Sequence, residues 1–251
     1  LCNKNSCPIM ASKVTEKNRA IILQSLRYGD NSMIVKILTE NSGLQSYIVK
    51  GILNKKSKIR PALFQNMTLV DIVATSGNTG LGFINEVSLS YFYKSIPENI
   101  KKTTIAIFIN ELIIKSITET ETDEYLFQYI YDSMIWLDNA TDNYSDFPLF
   151  FAMKLCSHLG FAPNIDTYQD GRCFDILDGN FKDFYNGVHV IDSKLSHYFY
   201  KICTTKIEDR AIHIDNETRH NLLKHIILYY KLHIDGVKEL SSQSILHEIL
   251  S

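Results

Sequence analysis

Residues 20–61, AIILQSLRYGDNSMIVKILTENSGLQSYIVKGILNKKSKIRP, constrain the fold more than any other stretch of this chain. Branched residues mark a strand over 21–26. Tyr28-Gly29-Asp30-Asn31 then has turn chemistry, because Gly tolerates positive φ and Asp and Asn hydrogen-bond their own backbone. A second strand spans 33–39, with Met33, Val35 and Ile37 on one face. Asn41-Ser42-Gly43 is a hairpin turn, and a third strand follows over 44–50. Its faces divide into Leu44 and Ile48 on one side and Tyr47 and Val49 on the other. Two further strands, 66–74 and 81–89, flank the turn Ser76-Gly77-Asn78-Thr79-Gly80. Five short strands with tight turns predict a small closed barrel.

The texture changes at Pro97. Ile105, Phe108, Ile109, Leu112, Ile113 and Ser116 recur at helical spacing, with Pro97 near the first turn. Residues 118–123 break this helix. A second helix is predicted over 125–137, and a polar loop over 138–146. Residues 147–159 form a very apolar helix ended by Gly160. Little helical period is visible over 161–191, where 173–177 reads as a short strand. Helices are predicted over 193–203 and 219–233, and Ser241 is a candidate cap for a last short helix. The expected organisation is α+β: a leader at 1–10, a β-barrel domain at 11–92, and an α-helical domain at 97–251 with an irregular insert at 161–191. Met10 is read as the natural start, and the residues before it as poorly ordered.

The formal net charge of −2 conceals an asymmetry. Residues 11–90 carry ten Lys and Arg against five Asp and Glu. Residues 91–251 carry 15 against 23. A basic front half is the footprint of a polyanion binder, since each phosphate contact releases counterions. The densest basic run is Lys50, Lys55, Lys56, Lys58 and Arg60, with no acid between them. Such a run is most often a solvated loop. Beside a small barrel it also suits phosphates, with Arg27 and Lys36 extending the charge. Tyr28 and Tyr47 are candidate stacking residues, packing being the commoner role for Tyr47.

The five cysteines, Cys2, Cys7, Cys156, Cys173 and Cys203, are odd in number and widely spaced, so no disulfide framework is implied. No apolar run approaches the ~18 residues of a membrane span, and a reducing, cytoplasmic compartment is expected. Phosphate-cradling, dinucleotide and nucleophile-elbow glycine motifs are missing. His213, His220, His225 and His233 lack metal-pair spacing. Glu119, Glu121, Asp123 and Glu124 suit a solvated turn. No enzyme, catalytic residue, cofactor or metal is expected.

The order of the short motifs resembles the RecO family of bacterial DNA-repair proteins. The matching pieces are Leu26-Arg27-Tyr28-Gly29-Asp30, Thr39-Glu40 with Gly43-Leu44, Val49-Lys50-Gly51, and Leu63-Phe64-Gln65. Further on come Leu155-Cys156-Ser157-His158-Leu159-Gly160-Phe161-Ala162-Pro163 and Ile245-Leu246-His247-Glu248-Ile249-Leu250. The resemblance runs from about Ala20 to the end. It implies an OB-fold followed by a helical domain in a nucleoid-associated bacterial protein. It implies a recombination mediator that binds single- and double-stranded DNA and anneals complementary strands. Such a mediator works with RecR, and RecF, to load RecA onto strands coated by single-stranded DNA-binding protein, whose acidic C-terminal tail contacts the helical domain. The DNA-binding candidates are Arg27, Lys36, Tyr47, Lys50, Lys55, Lys56, Lys58 and Arg60. The alternative is an adaptor whose barrel binds a partner protein. Many members carry a four-cysteine zinc site after the Leu-Gly-x-x-Pro motif. Here residues 164–191 hold only Cys173, so no zinc is expected, and Phe174, Ile176, Leu177, Phe181 and Tyr185 are expected to hold the segment.

Overall fold

The computed structural model describes residues 15–54, 57–75, 81–117, 122–183, 186–206 and 214–250. The chain forms two compact units. Apart from residues 40–44, the first ends at Ser90 and the second begins at Tyr91.

The first unit is a closed five-stranded barrel of OB-fold type: β1 (Thr15–Tyr28), β2 (Ser32–Thr39), β3 (Gly43–Val49), β4 (Leu69–Thr75) and β5 (Gly82–Leu89). The strand order is β1-β2-β3-β5-β4, closed by β4 on β1. The β3–β5 pair is parallel. Strand β1 serves two sides of the barrel. Residues 15–21 pair with β4 and residues 20–28 pair with β2, with a register shift between Ile22 and Gln24. An extra residue there bends the strand and lets it turn the barrel's corner. This is why β1 begins six residues before the expected 21: Thr15-Glu16-Lys17-Asn18-Arg19 is polar and carries no apolar alternation. β4 starts at Leu69, not at 66. Met67 takes a positive φ, and its N–H reaches the Ile22 carbonyl at 2.6 Å.

Alternate residues fill the barrel: Ala20 and Ile22 from β1, Val35 and Ile37 from β2, Tyr47 and Val49 from β3. Residues 51–54 and 57–64 cover one end of this core. Ile52 and Phe64 are buried in the core, and Leu53, Ile59 and Leu63 pack against it. Pro61 opens a single 3-10 turn, Pro61–Phe64. Burial of this kind contributes about 1.5–3 kcal/mol per large apolar side chain, so the segment is anchored rather than merely solvated. The Ser25 hydroxyl adds a hydrogen bond to the Phe64 carbonyl at 2.6 Å.

The second unit contains α1 (Ile100–Ser116), α2 (Glu124–Asn139), α3 (Phe147–His158), α4 (Ser193–Thr204), α5 (Asn216–His233) and α6 (Ser242–Leu250). Between α3 and α4 lies a small sheet of β6 (Cys173–Asp175), β7 (Asn180–Lys182) and β8 (Val190–Ile191), in the order β7-β6-β8. Helix α3 is buried nearly all round, as its composition demands. Tyr230 ties α5 to it through a hydrogen bond to the Ala152 carbonyl at 2.6 Å.

Three expectations for this unit need correction. Asp138 does not open a polar loop. It lies in the last turn of α2, buried, because its carboxylate accepts the N–H groups of Lys94, Ser95 and Ile96 at 2.8–3.1 Å. Among its described residues, the stretch 161–191 contains three strands rather than one, each too short to leave a sequence period. Leu177 does not hold that segment: it is 54% exposed, whereas Phe174, Ile176 and Phe181 are buried. Tyr185 lies outside the described residues. The start of α6 is capped by Glu111 of α1, whose carboxylate accepts Ser241 N–H at 2.9 Å and Ser242 N–H at 2.8 Å.

Candidate nucleic-acid interface

The barrel presents two basic surfaces, set by strand alternation and by the closing segment. The first is the outer face of β1, β2, β3 and β5. On β2, Val35 and Ile37 point into the core, so Ile34 and Lys36 point outward. Directly opposite them on β1 are Leu26, facing Ile34, and Gln24, facing Lys36. Leu26 and Tyr28 are exposed, Tyr28 to 55%. On β3, Val49 points inward, and Lys50 follows it outward. The Lys50 ammonium sits over the Phe83 ring of β5, 4.4 Å from its centroid. Phe83 lies beside Ile48 in the parallel pairing. Tyr28, Lys36 and Phe83 therefore lie on the outer side of the barrel wall, with the Lys50 ammonium against Phe83. The aromatic rings offer stacking area and the cations offer charge, the two ingredients of single-strand binding.

The second surface is the closing segment. Its apolar residues face the core, so Lys58 and Arg60 face solvent. The backbone between them is ordered by local bonds. Ser57 N–H donates to the Asn54 carbonyl at 2.9 Å, and the Ser57 hydroxyl to the Ile59 carbonyl at 2.9 Å. Leu53 N–H reaches the Asn31 carbonyl at 3.3 Å, which ties the segment to the β1–β2 turn. Arg27, exposed and paired with Met33, lies next to the β1–β2 turn to which Leu53 is tied, at the same end of the barrel. Among the described residues no carboxylate forms an ion pair with Arg27, Lys36, Lys50, Lys58 or Arg60.

The candidates thus separate. Lys36 and Lys50 are on the outer face, and Arg27, Lys58 and Arg60 are at the closed end. Lys55 and Lys56 lie outside the described residues. Tyr47 is corrected from stacking residue to core residue. It is 7% exposed, burial pushes its hydroxyl pKa up with help from the Glu16 carboxylate, and its ring fills the space beside Gly82. A Cβ on Gly82 would come within 2.6 Å of that ring. Phe83 is the residue that sequence reasoning missed. The only signal for it is its place in a strand whose neighbours, Gly82 and Ile84, face inward.

In the segment after the Leu-Gly-x-x-Pro motif Cys173, the only cysteine of residues 164–191, is buried in β6, and rings pack there: Phe174 stands 4.8 Å from Phe181 and 4.4 Å from Phe199. Among the described residues no three His, Cys, Asp or Glu side chains are grouped to hold a metal, and no helix is long and apolar enough to cross a membrane.

Comparison with known proteins gives two family matches in tandem. Residues 10–93 match the family described as Recombination protein O N terminal, and residues 97–243 match Recombination protein O C terminal. Among curated proteins, the chain is 33% identical to a DNA repair protein RecO of Christiangramia forsetii, covering 92% of this chain and 97% of that protein. It is 34% identical to the DNA repair protein RecO of Flavobacterium psychrophilum, covering 94% and 99%. For the protein of that name from Bacteroides fragilis the identity is 32%, covering 93% and 98%.

Proposed function

Because this chain belongs to the Recombination protein O family of DNA repair proteins, we propose that it is a non-catalytic DNA-binding mediator that anneals complementary single strands. In this reading it acts with RecR, and RecF, to help load RecA onto DNA coated by single-stranded DNA-binding protein. The observation that carries the reading is the barrel's set of cations without ion-pair partners among the described residues, with Lys50 over the Phe83 ring and Tyr28 exposed on the same barrel. Lys36 and Lys50 follow the sugar-phosphate backbone while the rings stack on bases. Lys58 and Arg60 add charge at the closed end, where a second stretch of duplex or single strand contacts the barrel; Lys55 and Lys56 adjoin them in sequence.

The helical unit offers a place for the acidic tail of single-stranded DNA-binding protein. A cleft of about 350 Å³ is lined by Tyr129, Phe150, Met153 and Ile202 together with Lys154 and Lys206. An apolar lining with lysines suits an acidic peptide that carries an apolar side chain.

Strand annealing tests the reading. Two complementary oligonucleotides, each coated with single-stranded DNA-binding protein, are mixed with and without the purified chain. Accelerated duplex formation is expected. No acceleration, together with stable co-elution with a partner protein and no binding to DNA, would replace the mediator by an adaptor.

A further inference from the structure

Helix α4 interrupts the acidic character of the second half of the chain. Residues 193–206 contain Lys194, Lys201 and Lys206 and no Asp or Glu, within a half that holds 23 acids against 15 bases. The helix is strongly two-faced. Ser196, Phe199 and Ile202 are buried. Lys194, His197, Tyr198 and Lys201, at spacings of three, four and seven, form another face. These four side chains line one open depression of about 440 Å³, together with Asp170 and Gly171.

The face is held firmly. The Ser196 hydroxyl accepts Phe174 N–H at 2.8 Å and donates to the Ile191 carbonyl at 3.0 Å, fixing α4 to β6 and β8. Tyr168 stacks flat on Tyr200, centroids 3.9 Å apart, and its hydroxyl meets His197 Nδ1 at 2.7 Å. Of the nearby acids, Asp192 and Asp183 are engaged, and Asp170 lines the depression. Asp192 caps the helix, accepting Leu195 N–H at 3.0 Å. Asp183 pairs with Arg172, and Asp170 borders the depression. Among the described residues neither Lys194 nor Lys201 is in an ion pair.

We propose that the Lys194–His197–Tyr198–Lys201 face of α4 is a second nucleic-acid contact, one that binds the phosphodiester backbone of a strand other than the one held by the barrel. Seven residues of helix separate the two lysines by about 10 Å along the axis, which spans neighbouring phosphates rather than converging on one. Tyr198 lies between them, placed to meet a base. A protein with one strand on its barrel and another on α4 holds both annealing partners at once, which raises their effective concentration. The inference rests on the nucleic-acid reading of the barrel.

The test uses the full chain carrying Lys194→Gln and Lys201→Gln, beside a barrel variant carrying Lys36→Gln and Lys50→Gln. The α4 variant should melt like the unaltered chain and keep its affinity for one labelled single strand. Its annealing rate should fall at least about tenfold, toward the roughly 10²–10⁴ that linking two binding events can contribute. The salt dependence of binding a second strand should become shallower by about 1.4, at roughly 0.7 per phosphate contact. Unchanged annealing and an unchanged salt slope for the second strand would overturn the α4 contact, while a weakened barrel variant would leave the barrel reading standing. A barrel variant that binds its first strand as before would instead remove the reading beneath it.

Discussion

The barrel and the helical unit dispose of their charged groups in opposite ways. In the helical unit, apart from the α4 face, key charges are turned inward and matched. Asp138 accepts three backbone N–H groups from residues 94–96, and the buried Lys102 ammonium donates to the Asp138 carbonyl at 2.9 Å and to Ser95 Oγ at 2.6 Å. Arg219 pairs with Asp146 at 2.5 Å, and Glu111 bonds both Lys115 and the start of α6. In the barrel, the cations on the outer face and closed end have no ion-pair partner among the described residues. A matched buried charge holds a fold in one arrangement, and losing its partner is costly. An unmatched surface charge contributes little to stability and remains free for a ligand. The sign of the net charge therefore says less than where the counter-charges sit.

This contrast predicts which substitutions unfold the protein and which only weaken binding. The largest effect on stability is expected from Asp138→Ala. It strands three N–H donors and the Tyr91 hydroxyl, and should cost about 3–5 kcal/mol. Urea denaturation followed by the fluorescence of Trp136, in the same helix, reads it. A loss under about 1 kcal/mol would mean that the matched charges are not structural.

A second, smaller effect is pH-dependent. Burial acts to raise the Glu111 pKa, but hydrogen bonds from Lys115, Ser242 and Ser241 outweigh it and bring the carboxyl to about 2. The folded pKa lies below the unfolded one. Its stabilising contribution is therefore complete above about pH 4.5 and is lost as pH falls toward 2. Glu111→Gln should flatten the acid limb of a stability-against-pH curve over that window. The backbone N–H groups on Asp138 lower its pKa too, although burial opposes them, so the Glu111 variant should retain part of the slope.

The smallest effect on folding is expected from the barrel's exposed ring. Tyr28→Ala should change stability by no more than about 0.5 kcal/mol. It should weaken single-strand binding by about 1–3 kcal/mol, the value of one stacked base. Fluorescence anisotropy with a labelled oligonucleotide measures the second quantity, and thermal melting the first. A large drop in melting temperature with unaltered binding would make Tyr28 a packing residue like Tyr47.

Local chemistry made β2, β3 and their turns legible. Alternation such as Met33-Val35-Ile37, closed by Asn-Ser-Gly, depends on adjacent residues alone. The first part of β1 was not legible, because its pairing with β4 joins residues some fifty apart and leaves no pattern in a polar run. The same holds for the site. A lysine-rich run announces charge, but which side of a strand faces the core emerges only from long-range pairing. Hence Tyr47, aromatic and near the basic run, proved to be interior, while Phe83 on the parallel neighbour of β3 was overlooked. Asp138 was misread for a related reason. A carboxylate inside a polar stretch looks solvated until its partners, some forty residues upstream, are in place.

The most direct test is a salt titration of single-strand binding, comparing the unaltered chain with one carrying Lys50→Gln, Lys58→Gln and Arg60→Gln. Three lost phosphate contacts should make the slope of log affinity against log salt shallower by about 2, at roughly 0.7 per contact, with the thermal melt unchanged. An identical slope and affinity in the two proteins would contradict the claim that the barrel's unmatched cations hold nucleic acid.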